Sequence, residues 1–140
     1  MKKNNYILLA VYALFPLLLG TIVGLFTDTS TYNGNIPGIV FPIVWSILYV
    51  LMGIASYLVR DNQKLINIYG INLIVNLLWS IIFFNLELRV FAFVWILLLL
   101  GIVIVMAYGF YREDKVAGYL LIPYILWLVF AAFLNLSIIL

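Results

Sequence analysis

The side chains of this chain that could do chemistry are aromatic rings and amides, not acids, bases or thiols. Trp45, Tyr49, Met52 and Ser56 recur at spacings of four, three and four, and so do Asn72, Asn76, Trp79 and Phe83. A third set, Pro123-Tyr124, Trp127, Ala131 and Asn135, follows a similar rhythm. Residues three and four apart share one face of an α-helix, so each set predicts a stripe on one helix. Large flat rings opposite a small residue such as Ala131 leave a flat hollow. Such a hollow suits a planar aromatic ligand held by stacking, with few charged contacts. Two plainer roles compete. Asn72, Asn76 and Asn135 also serve as helix–helix glue, worth roughly 0.6–2 kcal/mol each. Tryptophan and tyrosine also gather at membrane interfaces. Tyr6, Tyr57, Tyr69, Tyr108, Tyr111 and Tyr119 suit that belt, whereas Trp45, Tyr49, Trp79 and Trp127 lie deeper in their apolar runs.

The chain has no cysteine and no histidine. That removes disulfides, thiolate chemistry, zinc sites and His-ligated haem, together with the usual general base near neutral pH. No metal site and no cofactor is expected. The acidic residues Asp28, Asp61, Glu87, Glu113 and Asp114 fall in gaps between apolar runs. With no carboxylate at mid-bilayer, a proton-coupled pump is disfavoured. A net charge of +2 gives no reason to expect a nucleic-acid partner.

The elements that must hold these stripes are membrane helices. Hydrophobic residues make up 68% of the chain and charged residues 9%, where soluble domains run near half and a quarter. A bilayer core about 30 Å thick needs roughly 20 apolar residues per helix. Five such runs stand near Tyr6–Phe26, Ile39–Val59, Leu65–Asn85, Val90–Tyr111 and Val116–Ile138. The fold class is therefore an all-α integral membrane protein. It is one domain over residues 1–140, a five-transmembrane-helix bundle. The first run is too long for the apolar region of a signal peptide and no small-residue cleavage site follows it, so it reads as a span.

Lys2, Lys3, Arg60, Lys64, Arg112 and Lys115 fall on one side of five alternating spans, and Arg89 with Asp28 and Glu87 on the other. The positive-inside rule then places the N-terminus inside and the C-terminus outside a membrane of the bacterial cytoplasmic type. The first loop, Thr27 to Gly38, is the longest and most polar, and acts as a lid in this reading. The remaining loops are short enough to force antiparallel neighbours. Trp45, Trp79, Trp127 and Ala131 then converge beneath the lid, towards the outer leaflet. Gly20 and Gly24, four apart with Thr21 beside them, allow close helix approach, either to a neighbouring span or to a second copy of the chain.

Four segments resemble the translocator protein and tryptophan-rich sensory protein family. They are Pro37-Gly38 through Phe41, Trp45 and Leu48-Tyr49; Met52-Gly53 with Ser56-Tyr57; Asn76, Trp79 and Phe83-Phe84; and Pro123-Tyr124 through Trp127, Phe130-Ala131 and Leu134-Asn135. The resemblance implies a five-helix membrane protein, commonly a homodimer, that binds porphyrins and other planar hydrophobic molecules. Carried over position by position, it implies a pocket lined by Tyr32, Pro37, Trp45, Tyr49, Asn76, Trp79, Phe83, Phe91, Trp127, Ala131 and Leu134. Some bacterial members promote light- and oxygen-dependent porphyrin breakdown, with tryptophans matching Trp45 and Trp127 implicated, so these two are the candidates for any such chemistry. The chain departs from the family in its first loop. That loop is shortened, and of the family's W-Y-x-x-L-x-K-P-x-W-x-P-P pattern only Tyr32 and Pro37 match clearly. Trp95 stands where members often carry an acidic residue.

The expected function is thus a membrane protein binding porphyrins or similar planar ligands as sensor, carrier or scavenger. Its expected partners are such a ligand, membrane lipid and, through the resemblance, a second copy of the chain. The alternatives are a transporter of such ligands and a weak light-dependent porphyrin-degrading enzyme. The transporter reading lacks support from intramembrane charge or inverted repeats.

Overall fold

In a lipid environment every backbone N–H and C=O must be satisfied within the protein, and a helix does this within one segment. The structure, a computed structural model, describes residues 5–26, 40–86 and 88–139. Helix α1 is Tyr6–Phe26, α2 is Val40–Leu58 and α3 is Gln63–Ser80. Helix α3 runs on into a π-helical turn, Ile81–Asn85. Then come α4, Arg89–Glu113, α5, Lys115–Leu120, and α6, Ile122–Ile139. Five segments are long and apolar enough to cross a membrane, the third being α3 with its π turn and the fifth being α5 with α6.

Apart from the first, the spans differ from the expected ones by one or two residues at one or both ends, and the fifth is also broken. The fourth reaches Glu113 rather than Tyr111 because Arg112 turns its guanidinium back to the Tyr108 hydroxyl, 2.9 Å away, at the water-facing end. The connection to α5 shrinks to Asp114, whose carboxylate accepts from the Val116 and Ala117 N–H groups at 2.9 and 3.4 Å, a helix N-cap. The fifth span is broken at Leu121. Pro123 has no N–H to give the Tyr119 carbonyl, and the Leu121 N–H turns back to Gly118 at 3.1 Å instead.

Helix α4 carries Ala92, Ile96, Leu99, Val103, Met106 and Phe110, all fully buried. Their alternating four-three spacing makes a narrow apolar seam, which packs between α3 and α6. Helix α2 packs along α1 and against α5, and only grazes α6. Helix α1 is the most peripheral span. It comes close to α2 at Gly53, where a Cβ would fall on the Tyr12 carbonyl oxygen and the Ala13 backbone. Pro16, one helical turn on, leaves that Tyr12 carbonyl without its usual partner.

Among the described residues, Arg60, Asp61, Lys64, Arg112, Glu113, Asp114 and Lys115 gather at one end of the bundle, which holds the α2–α3 and α4–α5 connections. Arg89 is the one charged residue at the other end among those described. There Asn85 donates to the Phe26 carbonyl at 2.6 Å, joining the ends of α1 and α3. Large apolar side chains are exposed all along the outer faces, as a surface solvated by lipid requires.

A candidate ligand site of aromatic rings and amides

The stripes expected on three helices meet at the Arg89 end of the bundle. Trp45 is the hub. Its ring stacks on Tyr49 (5.7 Å between centroids, 26°) and meets Trp127 and Tyr124 edge-on, each at 6.2 Å. Trp79 lies 6.4 Å from Trp45 and stacks on Phe83 at 4.9 Å and 14°. Phe41 and Phe84 close the group, edge-on to one another at 5.5 Å. The π turn carries two adjacent phenylalanines, Phe83 and Phe84, that are both buried. Its wider turn is closed by Leu86 N–H reaching Ile81 O at 2.9 Å. π turns of this kind recur at functional sites.

Beside the rings runs a buried polar chain that ties three helices. The Tyr49 hydroxyl donates to Asn76 Oδ1 at 2.6 Å. Asn76 Nδ2 donates to the Tyr124 hydroxyl at 2.7 Å, and that hydroxyl donates to Asn72 Oδ1 at 2.7 Å. The chain fixes the Tyr49 and Tyr124 rings and therefore the two faces against which Trp45 packs. Tyr124 is its hub, although sequence reasoning placed it on the stripe without assigning it to the site. Asn135 acts elsewhere, donating to the Arg89 backbone carbonyl at 2.9 Å and so joining α6 to the start of α4.

The indole N–H groups of Trp45, Trp79 and Trp127 are buried and have no acceptor among the described residues. The fourth tryptophan, Trp95, does have one, the Val75 carbonyl at 2.8 Å. A buried donor without a partner costs about 1–3 kcal/mol. Three of them in one cluster make it a place that favours a guest carrying acceptors.

A hollow of about 550 Å³ lies beside the cluster, between α1, α2 and the end of α3. Trp45 and Tyr49 form its wall, Gly20 and Gly24 line it from α1, and Ser80 and Phe84 from the third span. Gly20 accommodates the Tyr49 ring, since a Cβ there would overlap it. Around Gly24 nothing lies within 4 Å of where a Cβ would stand. Gly20 thus faces α2, and both glycines line the hollow. The hollow is not enclosed by every ring of the expected pocket. Trp79 is 1% exposed and packed solid. Trp127 instead lines a shallow groove of about 410 Å³ between α2 and α6 on the lipid side. Ala131 and Leu134 are buried in α6 and do not line the hollow. Phe91 stands apart from the site: it is 51% exposed and packs beside Trp95 on the outer face of α4. Tyr32, Pro37 and the expected lid lie outside the described residues. Among the described residues no group of acids gathers that could hold a metal ion.

The sequence pattern of the TspO/MBR family matches residues 11–140. The chain belongs to the TspO/MBR family. It is 35% identical over 120 residues to the tryptophan-rich protein TspO of Chlorobaculum tepidum, covering 81% of this chain and 76% of that one. It is 33% identical over 110 residues to the protein CrtK of Rhodobacter capsulatus, covering 73% and 68%. The similarity reaches the translocator protein of Homo sapiens, 34% identical over 100 residues, 66% of this chain and 59% of that one. A TspO/MBR protein of this composition, with five spans, is an integral membrane protein.

Proposed function

We propose that this TspO/MBR member binds porphyrins or similar planar hydrophobic molecules within the membrane, as sensor, carrier or scavenger. The ligand would rest in the hollow against Trp45 and Tyr49. The single observation that carries the reading is that wall. Two rings stacked 5.7 Å apart border an open volume of about 550 Å³, within the usual range for small-molecule sites. The Trp45 indole N–H supports it, because it is a donor without an acceptor among the described residues, carried by the ring that forms the wall. The names of relatives, tryptophan-rich sensory protein and translocator protein, agree with a receptor or carrier role.

The test is a titration of protoporphyrin IX with the purified protein in lipid nanodiscs, followed by the shift of the porphyrin Soret band. Trp45→Phe keeps a ring and removes the N–H donor, and is expected to weaken binding about five- to tenfold. No band shift with the wild-type protein would refute the proposal. A second reading, light-driven breakdown of the bound pigment, is favoured by the two indoles of Trp45 and Trp127 standing 6.2 Å apart. Illumination of the complex in air would then bleach the Soret band faster than in free porphyrin, and Trp45→Phe would slow it.

A further inference from the structure

Three hydroxyl side chains line the hollow, one from each of the spans that border it: Thr21 on α1, Ser46 on α2 and Ser80 at the end of α3. A hydroxyl has one proton to give and two lone pairs with which to accept. Thr21 Oγ1 gives its proton to the Leu17 carbonyl at 2.8 Å, and Ser46 Oγ gives its proton to the Pro42 carbonyl at 2.6 Å. What these two can offer a guest is therefore lone pairs alone. The Tyr49 hydroxyl brings no donor either, because its proton is spent on Asn76 Oδ1 at 2.6 Å. Ser80, half-buried, adds the third hydroxyl.

Bonding to a carbonyl one turn back is an ordinary way for a helix in lipid to satisfy a serine or threonine. That accounts for Thr21 and Ser46 taken singly. It does not account for their gathering: of the five serines and threonines among the described residues, three line this one hollow. None of the described residues lining it is charged, so polar recognition there is between neutral groups. The Trp45 ring brings one donor, and the hydroxyl edge brings acceptors. In hydrocarbon a guest's own N–H or O–H has no water to turn to, and leaving it unpaired is costly. A guest with such a donor at its rim pairs it in the hollow, whereas a guest with an alkyl or ether rim gains nothing from the same oxygens.

We infer that Thr21, Ser46 and Ser80 form an accepting edge of the hollow that selects planar ligands carrying an N–H or O–H group at the rim. The inference rests on the reading of the hollow as a planar-ligand site, and it adds a hydrogen-bonding preference that the rings alone do not give.

The experiment compares two neutral porphyrins of one ring system. Haematoporphyrin dimethyl ester carries two hydroxyl groups at its rim, and its di-O-methyl ether keeps both oxygens and loses both O–H groups. Each is titrated into the wild-type protein, Thr21→Val, Ser46→Ala, Ser80→Ala and the triple variant in nanodiscs of uncharged lipid, with partition into protein-free nanodiscs subtracted. Protoporphyrin IX is titrated alongside as the reference for binding itself. The wild type is expected to bind the alcohol about tenfold more tightly than the ether. The triple variant is expected to bring that ratio to within about twofold of one, with the single variants in between. Equal binding of alcohol and ether by the wild type would overturn the inference. So would a triple variant that weakens both in proportion, which would leave the hydroxyls with their helix-internal bonds only, or one that keeps the wild-type ratio, which would place the ligand's O–H elsewhere. Binding of protoporphyrin IX with exclusion of both haematoporphyrin derivatives would overturn the inference alone. Failure of protoporphyrin IX to bind would overturn the reading of the hollow itself.

Discussion

Asn76 holds the centre of the site by two bonds, accepting from Tyr49 and donating to Tyr124. Asn76→Leu would leave one phenol without an acceptor and another without a donor. At the modest worth of interhelical hydrogen bonds in lipid, the expected loss is about 1–3 kcal/mol, read as a lowered midpoint in thermal melts in detergent. Tyr124→Phe also breaks two bonds of the chain, those to Asn76 and Asn72, and should cost a similar amount. Tyr49→Phe breaks one and should cost less. The sequence marked Trp45, Tyr49, Asn76 and Trp79 because the three-four rhythm survives in any helix that buries one face. It could not mark the pairings, since Asn76 and Tyr124 are 48 residues apart and periodicity carries no information between helices. Phe84 was not assigned to the site for a different reason. The three-four rhythm marks Phe83 and passes over its neighbour, whereas the π turn carries both phenylalanines and both are buried. Phe91 was carried into the site by resemblance alone. Its helix is apolar on every side from Val90 to Ala107, so no polar face fixes which way each residue turns.

Helix α1 meets the rest of the bundle through glycines with opposite demands. Gly53 on α2 takes the α1 backbone against it, so Gly53→Val must push α1 away or fail to fold. The expected outcome is a clear fall in thermal midpoint and reduced recovery from the membrane. Gly24 on α1 has open space where its Cβ would stand, and it lines the hollow. Gly24→Leu should therefore leave the melt nearly unchanged and fill part of the ligand volume, weakening porphyrin binding about tenfold or more. The five spans were legible because lipid leaves a chain few choices: long apolar runs, short polar gaps, helices throughout. The break at Leu121 was harder to read. Pro123 sits near a helix start, where proline is tolerated, and only the loss of its N–H to Tyr119 distinguishes a kinked span from a straight one.

The bundle as a whole presents lipid-facing apolar surface, a basic end and an aromatic end that carries Arg89. The charge rule predicts that the basic end faces the cell interior and the aromatic end opens outward. A protease added outside intact cells should then remove a C-terminal tag and spare an N-terminal one. The reverse pattern would place the hollow towards the cytoplasm and change what ligands reach it. Architecture and family follow from composition, spacing and the match over residues 11–140. The position of the hollow does not. Converging rings predicted one cavity among them, but the rings fill that volume by packing on one another, and the open space falls to one side, where Gly20 and Gly24 give α1 no side chains. The most direct measurement of the central claim is a tryptophan-fluorescence titration with protoporphyrin IX, run on the wild type and Gly24→Leu in parallel. Saturable quenching in the wild type, with the curve displaced to about tenfold higher concentration in Gly24→Leu, is the expected result. Quenching that rises without saturation, or that is the same in both proteins, would contradict a ligand site at this hollow.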